Sequence, residues 1–218
     1  MSKYKAVLFD FDGTIFNSND IIIESWEHTF MKVLGRKPEL SEVLPTFGEP
    51  LTDSSKRIFP DCDPKDIVAT YREYQDKLYK GRVSEFPWLA ELIAKLKEEG
   101  YLVAIVTSRL MSIFHTGPYD APSVDKFDVI VSYEDTPSHK PAPDCILIAL
   151  EKLGISEDEA IYIGDSKIDM LCARNAGVDC ALVGWSVSVP EEQRSSVDCD
   201  TIINNPEDLI AYLSAAGV

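Results

Sequence analysis

The chain has 218 residues, of which 45% are hydrophobic and 27% are charged, and its formal net charge is -16. This length suffices for one sizeable core, or for a core with a smaller attached domain, and the composition is ordinary for a globular protein. The acidic balance argues against nucleic acid and anionic membrane surfaces as partners, although a bound cation can attract a small anionic ligand locally.

Neither a membrane span nor a disulfide framework is indicated by the sequence. No apolar run is long enough to cross a bilayer, and the N-terminal apolar stretch is short and interrupted by acids, unlike a signal peptide. The five cysteines are scattered along the chain and form no CxxC pair. We therefore expect reduced thiols and a cytoplasmic location.

The first predicted strand, Lys5–Phe9, leads into two acids that are one residue apart. In the stretch VLFDFDGTIF, residues 7–16, an apolar run continues into Asp10 and Asp12 and then into a Gly-Thr turn. Two carboxylates at this spacing disfavour each other's ionised forms. An Asp-Gly-Thr turn alone is usually only a turn, but the additional acid at the strand end indicates a bound cation.

The next segment, from about Asn19 to Gly81, shows helix patterns and loops but no convincing strand. Residues 19–35 and 63–81 each have the apolar spacing of an amphipathic helix, and a loop containing Phe47–Leu51 lies between them. This pattern predicts a helical domain inserted after the first strand. The predicted domains are residues 1–16 together with 86–218 as the core domain, and residues 17–85 as the inserted domain.

The rest of the chain alternates short apolar runs with helix-like stretches. The runs are rich in Val, Ile and aromatic residues and are too short for helices, which indicates strands. Continuous apolar strands that alternate with helices predict an α/β fold with a mainly parallel sheet covered on both faces. The predicted strands are Leu102–Val106, Phe127–Val131, Ile161–Ile163, Ala181–Val183 and Thr201–Ile203. The predicted helices are Trp88–Gly100, Asp144–Gly154, Lys167–Gly177 and Pro206–Ala215.

Polar residues follow several of these strands, and ligands of open parallel sheets bind outside the carboxyl ends of the strands. The four acids in this set would repel one another, and a divalent cation removes that conflict. Oxygen ligands without a nearby His or Cys cluster favour Mg²⁺, which commonly bridges carboxylate and phosphate oxygens. We therefore predict Mg²⁺ and a phosphorylated partner. The polar residues expected at this rim are Asp10, Asp12, Thr14, Thr107, Ser108, Lys140, Asp165 and Asp169.

The residue types at this rim also suit phosphoryl transfer. A carboxylate such as Asp10 can attack phosphorus and form an aspartyl-phosphate. Asp12 lies two residues further along an extended chain, so it can point to the same side and move protons. Lys140 adds a point positive charge suited to phosphate, and Gly13 lets the backbone turn sharply next to a ligand.

Each of the other motifs has an ordinary structural interpretation when it is taken alone. Thr107-Ser108 would be a helix cap, Lys140-Pro141 a solvated loop, and Gly164-Asp165-Ser166 a capped strand-to-helix turn. These interpretations would all have to hold independently, whereas a single phosphotransfer site explains the whole set.

Four segments, in this order, resemble the motifs of the haloacid dehalogenase (HAD) superfamily. The resemblance spans nearly the whole chain, and it implies an α/β fold with a Rossmann-like parallel sheet core and an inserted all-α helical cap. The third and fourth segments and the loop FGEPL are similar to the phosphoglycolate-phosphatase-like and beta-phosphoglucomutase-like branch. The four segments are Asp10-Phe11-Asp12-Gly13-Thr14, Thr107-Ser108, Lys140-Pro141-Ala142-Pro143 and Gly164-Asp165-Ser166-Lys167-Ile168-Asp169.

The resemblance implies catalytic and metal-binding roles for the four acids. Asp10 would be the nucleophile, and Asp12 would be the general acid/base. Mg²⁺ would be bound by the side chains of Asp10 and Asp165 and by the backbone carbonyl of Asp12. Asp169 would support the metal site.

The resemblance also implies how a substrate is held and converted. Thr107 and Lys140 would hold the phosphoryl group, with Gly13 and Ser108 as further substrate-binding residues. The leading hypothesis is a Mg²⁺-dependent phosphatase, active as a monomer or homodimer on a small phosphorylated metabolite such as a phosphoglycolate-like compound, a sugar phosphate or pyrophosphate. The alternative is a sugar phosphomutase of the beta-phosphoglucomutase type, and a non-catalytic phosphate-binding protein is disfavoured because no proposed catalytic position is missing.

Two features depart from the family pattern. Many relatives carry Asp where this chain has Asn17, just after the first motif. Residues 109–123 contain Gly117, Pro118 and Pro122, which predicts an irregular stretch in place of a long helix. Neither departure removes a proposed catalytic position.

Overall fold

A computed structural model describes residues 3–79, 82–111 and 121–216. Within these residues the chain forms a six-stranded sheet in the order β3-β2-β1-β4-β5-β6, and all neighbouring strands are parallel. The predicted parallel α/β sheet is therefore confirmed, and each strand lies within two residues of its predicted bounds. The strands are β1 (Ala6–Phe9), β2 (Leu102–Val106), β3 (Val129–Val131), β4 (Ala160–Gly164), β5 (Asp179–Val183) and β6 (Thr201–Ile203).

Six of the described α-helices follow the predicted helical stretches, and three shorter ones, at residues 40–43, 51–58 and 191–194, lie outside those predictions. Gly154 and Gly177 end two helices in the left-handed conformation, which glycine adopts without a steric penalty. The side chains of Ser166 and Asn205 cap the starts of the helices at residues 167–176 and 206–215, the first of which is the helix that Gly177 ends. The described helices are α1 (Asn19–Leu34), α2 (Leu40–Val43), α3 (Leu51–Ile58), α4 (Pro64–Tyr79), α5 (Leu89–Glu98), α6 (Asp144–Leu153), α7 (Lys167–Ala176), α8 (Glu191–Arg194) and α9 (Pro206–Ala215).

The apolar character of β1 follows from its place in the middle of the sheet. All four of its residues are buried. Val7 and Phe9 pack into one cluster with residues of α5 and α9, and Ala6 and Leu8 pack into a second cluster with residues of α6 and α7. Because both faces of the strand are covered, it is a continuous apolar run without polar alternation.

Helices α1 to α4 have an apolar core of their own. Trp26 and Phe30 of α1 are buried with Phe59 and with Tyr71 of α4, and the Trp26 and Tyr71 rings lie 4.8 Å apart. This cluster explains why the described part of the segment is helical: its apolar residues recur at helical spacing and meet one another.

The two chain segments that join the helical segment to the sheet pair with each other antiparallel at Phe16 and Glu85. The backbone N–H of Asn17 donates to Ser84 O at 2.9 Å, and the N–H of Phe86 donates to Ile15 O at 3.1 Å. The division into a core (1–16 and 86–218) and an inserted domain (17–85) remains a prediction.

Three further expectations concern membrane spans, thiols and the stretch predicted to be irregular. Among the described residues, no helix has both the length and the apolar character that crossing a bilayer requires, and all five cysteines are free thiols. Residues 112–120, most of the stretch predicted to be irregular, lie outside the described residues.

Candidate active site

Three acids, one from the first motif and two from the fourth, meet at the carboxyl ends of the central strands. Asp10 follows β1, Asp165 follows β4, and Asp169 lies in the first turn of α7. One carboxylate oxygen of each lies within 4.8 Å of the others, and all three side chains are buried. The structure thus brings together three of the four acids that the sequence places at this rim.

Lys140 lies at the base of this acidic trio and forms two buried ion pairs. Its Nζ donates to Asp10 Oδ1 at 2.7 Å and to Asp169 Oδ1 at 2.8 Å. The same Nζ contacts the hydroxyl oxygen of Tyr162 at 2.6 Å and Val106 O at 3.1 Å. Burial lowers the pKa of Lys140, but the two carboxylates outweigh it and hold this pKa well above its usual value. A buried ammonium is tolerated only with such complete pairing.

The pKa values of the three acids show that their negative charges lie close together in a buried site. Burial raises the pKa of Asp10 to about 7, against the opposing effect of Lys140. Burial, followed by the charges of Asp169 and Asp10, holds the pKa of Asp165 well above its usual value. Burial also raises the pKa of Asp169, but Lys140 and hydrogen bonds from Ser166 and Tyr162 lower it further than burial raises it. Lys140 therefore compensates Asp169 and leaves Asp165 uncompensated.

Asp165 carries the clearest sign that a cation fits this trio. Its Oδ2 accepts a hydrogen bond from Ser186 Oγ at 2.5 Å, whereas its Oδ1 is buried without a hydrogen-bond partner. A buried, unpartnered carboxylate oxygen is costly. The donor set consists of oxygens alone, which suits a hard divalent cation such as Mg²⁺. The residues present therefore fit the metal that the sequence predicts.

The Asp12 side chain, in contrast, turns away from the trio. It accepts hydrogen bonds from Nε and Nη2 of Arg109 and from Ser18 Oγ. Its side chain is 23% exposed, while that of Arg109 is only 7% exposed. The structure thus places the Asp12 carboxylate in an ion pair at the wall of the cleft, and a metal contact through its backbone carbonyl remains a prediction.

Gly13 allows Asp165 to approach the backbone of the first motif. Its φ is +73°, and a Cβ at this position would lie 2.1 Å from Asp165 Oδ2. No other residue fits there without displacing the acid. Thr14, the next residue, is fully buried, and its Oγ1 has no hydrogen-bond partner.

Thr107 and Ser108 follow β2 and line the same cleft as Asp10. Thr107 is buried, and its Oγ1 accepts a hydrogen bond from the backbone N–H of Arg109 at 3.2 Å. Ser108 Oγ donates to Gly48 O at 3.1 Å. Since Gly48 belongs to the loop of the helical segment, Ser108 ties the sheet rim to that segment.

The cleft lies between the sheet rim and the helical segment and encloses about 630 Å³, part of it open to solvent. The rim contributes catalytic candidates, and the helical segment closes the opposite wall. The rim residues that line it are Asp10, Asp12, Thr107, Ser108 and Arg109, and the opposite wall includes Trp26, Thr46, Gly48, Tyr71, Arg72 and Gln75.

Several residues of this site were not predicted from the sequence. Tyr162 lies within an apolar strand, so the sequence pattern does not indicate a role for its hydroxyl. Arg109 directly follows the Thr107-Ser108 pair, and this adjacency is the sequence feature that could have indicated its place in the site. Asn17 is exposed, whereas the nearby Asn19 is buried and its Nδ2 donates to Ser186 Oγ at 3.1 Å.

Comparison with known proteins assigns the family. The model of haloacid dehalogenase-like hydrolases matches residues 7–183, and the chain belongs to this family. A relative from Caldanaerobacter subterraneus, provisionally named pyrophosphatase PpaX, is 44% identical over 186 residues, which are 85% of this chain and 84% of the relative. Pyrophosphatase PpaX from Halalkalibacterium halodurans is 34% identical over 208 residues, which are 95% of this chain and 96% of the relative. The predicted family and the predicted enzyme class, a HAD-type phosphoric ester hydrolase, are confirmed.

Solved structures confirm the fold. A haloacid dehalogenase-like family hydrolase from Streptococcus pneumoniae superposes with a TM-score of 0.78 at 27% identity, covering 97% of this chain and 99% of that one. A hydrolase from Pseudomonas syringae has a TM-score of 0.82 at 21% identity, covering 98% of this chain and 100% of that one. The second similarity shows the fold alone.

We expect Gly48→Ala to weaken the seating of its loop on the sheet rim. The φ of Gly48 is +78°, and an added Cβ would lie 2.4 Å from Ser166 Oγ. Gly35→Ala is the matched control, because its φ is +68° but an added Cβ would meet nothing within 4 Å. Backbone strain should cost each variant about 1–3 kcal/mol in urea unfolding, and only Gly48→Ala should also lower kcat/KM for phosphate-ester hydrolysis. Equal kcat/KM values in the two variants would contradict this.

We expect Tyr162→Phe to destabilise the Lys140 network. The Tyr162 hydroxyl accepts a hydrogen bond from Lys140 and donates one to Asp169 Oδ1 at 3.0 Å. Its removal therefore leaves each of these two buried charged groups with one hydrogen-bond partner fewer. The free energy of unfolding should fall by about 1–3 kcal/mol, measured by urea denaturation. Tyr74→Phe is the control, because that hydroxyl is outside the network; a loss of equal size in both variants would argue against the network.

Proposed function

We propose that this protein is a Mg²⁺-dependent phosphatase that hydrolyses a small phosphorylated metabolite through an aspartyl-phosphate on Asp10. The observation that carries this proposal is the buried trio of Asp10, Asp165 and Asp169, in which Asp10 and Asp169 pair with Lys140 and Asp10 lines the cleft. Membership of the haloacid dehalogenase-like hydrolases supports it.

Asp10 is proposed as the nucleophile because its two oxygens have different surroundings. Oδ1 is held by Lys140 at 2.7 Å, while Oδ2 has no hydrogen-bond partner among the described residues. In the first step an Asp10 oxygen forms a bond to phosphorus, and the bond from phosphorus to the leaving oxygen breaks. In the second step water attacks the same phosphorus, the bond between phosphorus and the Asp10 oxygen breaks, and phosphate leaves as the carboxylate is restored.

Asp12 is proposed as the general acid/base that serves both steps. It would give a proton to the leaving oxygen and later take one from the attacking water. The ion pair with Arg109 and the hydrogen bond from Ser18 now hold the carboxylate at the cleft wall. A phosphoryl group entering the cleft offers the Arg109 guanidinium another anion, so substrate binding would release Asp12 for proton transfer.

The metal would be held by the side chains of Asp10 and Asp165 and by the backbone carbonyl of Asp12, with Asp169 in support. When bound, it would neutralise the crowded carboxylates and orient the phosphate oxygens. The buried, unpartnered Oδ1 of Asp165 supports this assignment.

The phosphoryl group would be held by the rim residues that the first three motifs supply. Thr107 offers a buried hydroxyl at the end of β2, and Ser108 follows it at the cleft wall. Lys140 would contribute positive charge from the base of the acidic trio, and Gly13 would let the backbone come close to the phosphoryl group. Pyrophosphate is the first substrate to test, because the two relatives carry the name pyrophosphatase. Cytoplasmic location and a monomeric or homodimeric state stay predictions.

We expect Asp10→Asn to abolish turnover while it leaves the fold intact. The amide has nearly the same shape but is a far weaker nucleophile, so kcat should fall by about a thousandfold or more. Initial rates of phosphate release measure this, and circular dichroism checks the fold. Asp61→Asn, an exposed acid outside the cleft, is the control and should keep wild-type rates. Full activity of Asp10→Asn on every phosphate ester tested would exclude the mechanism, and an isomeric sugar phosphate in place of free phosphate would favour the phosphomutase.

We expect Mg²⁺ to stabilise the folded protein through the trio, because a ligand that binds only the native state raises its stability. The melting temperature should rise with Mg²⁺ concentration, relative to NaCl of the same ionic strength, in the absence of any substrate. Asp165→Asn should lose most of this response. The same Mg²⁺-dependent rise in wild type and variant would place the cation elsewhere.

A further inference from the structure

The wall of the cleft opposite the acidic trio carries an arginine that the proposed mechanism does not use. Arg72 lies on α4, is half-buried and lines the same cleft as Asp10. Its Nη1 donates to Gln75 Oε1 at 2.9 Å. An amide oxygen is neutral, so this contact orients the guanidinium without compensating its charge.

The other arginine of this cleft is already paired with an acid. Arg109 forms an ion pair with Asp12, and Arg57, next to the cleft, pairs with the cleft residue Glu49 at 2.5 Å. Within the part of the chain that the structure describes, Arg72 forms no ion pair with a carboxylate. An uncompensated cation in the binding cleft of a chain with a net charge of -16 is suited to a negatively charged group of the substrate.

Gln75 holds Arg72 in place from the buried side. Gln75 is only 3% exposed, and its Nε2 contacts the hydroxyl of the buried Tyr71 at 3.2 Å. With the amide fixed in this way, the guanidinium is pre-ordered, and its other N–H groups have no partner among the described residues. A planar guanidinium with several open donors is the side chain best suited to bidentate contact with phosphate or carboxylate.

The in-line geometry of phosphoryl transfer places the leaving group near the wall that carries Arg72. The attacking and leaving oxygens lie roughly in line on opposite sides of phosphorus during phosphoryl transfer. Since Asp10 attacks from the sheet rim, the leaving group points toward the opposite wall, to which α4 contributes Arg72 and Gln75.

We propose that Arg72, held by Gln75, is an anion subsite that binds a second negatively charged group of the substrate beyond the scissile bond. This inference rests on the proposed phosphatase function and narrows its substrate class. The favoured substrates are small phosphate compounds with a second anionic group, either a further phosphoryl group, as in pyrophosphate, or a carboxylate, as in phosphoglycolate. Phosphate esters with uncharged leaving groups are disfavoured.

The test compares substrates with and without the second charge. The kcat/KM values for pyrophosphate and phosphoglycolate are each divided by that for p-nitrophenyl phosphate, which has no second anionic group. Arg72→Met should lower the ratio for the preferred substrate with two anionic groups by about tenfold or more, mainly through KM. Arg72→Lys keeps the positive charge but lacks the planar guanidinium that can make two parallel hydrogen bonds. It should therefore recover only part of the lost kcat/KM ratio. Lys65→Met removes the same charge from an exposed position of α4 and should leave the ratio unchanged.

A binding measurement separates failure of the subsite from failure of the proposed function. In the Asp10→Asn background, calorimetry with Mg²⁺ and pyrophosphate, or phosphoglycolate if it is preferred, should show about tenfold weaker binding when Arg72→Met is added. Thermal unfolding confirms that each variant is folded. An unchanged substrate ratio, or equal affinity with and without Arg72, would overturn the subsite. A wild-type protein that releases phosphate neither from these three compounds nor from a panel of sugar phosphates would overturn the proposed function, and the calorimetry would still decide the subsite.

Discussion

The rim of the sheet depends on one buried cation, the ammonium of Lys140. It bonds to Asp10 after β1 and to Asp169 in the first turn of α7, while Lys140 itself lies in the loop before α6. A charge buried to this degree is tolerable only when its partners are in place, and removing any one of them leaves another charge uncompensated. Three segments that are distant in sequence therefore hold one another in a single arrangement.

Lys140 forms ion pairs with Asp10 and Asp169 of the trio but not with Asp165. Asp165 receives hydrogen bonds from Ser186 on one oxygen only, and its other oxygen is buried and unpartnered. Gly13 brings the backbone of the first motif directly against this carboxylate. A lysine and a divalent cation thus have complementary places at the rim, because the lysine holds Asp10 and Asp169 and a cation would fit beside the buried, unpartnered oxygen of Asp165.

The sequence predicts the fold and the trio better than it predicts the walls of the cleft. Asp10, Asp165 and Lys140 could be placed together because parallel strands end at a common edge, a rule that needs only strand positions. Tyr162 could not, since a tyrosine within an apolar strand is usually core, and its hydroxyl matters here only because Lys140 reaches it from another loop. The pairing of Arg109 with Asp12 likewise depends on how the two loops face each other in the folded protein.

The charges of the cleft explain how so acidic a chain can accept an anion. Asp12 and Glu49 are neutralised by Arg109 and Arg57, and the Lys140 charge is absorbed by two acids. Once a divalent cation occupies the trio, its two charges and that of Lys140 balance the three carboxylates, so the positive centres open to a ligand are the bound cation itself and Arg72 on the opposite wall. A substrate with one phosphate engages only the first of these centres, whereas a small molecule with two anionic groups spans both. Selectivity for such a molecule then follows from the separation of two positive centres across a single cleft.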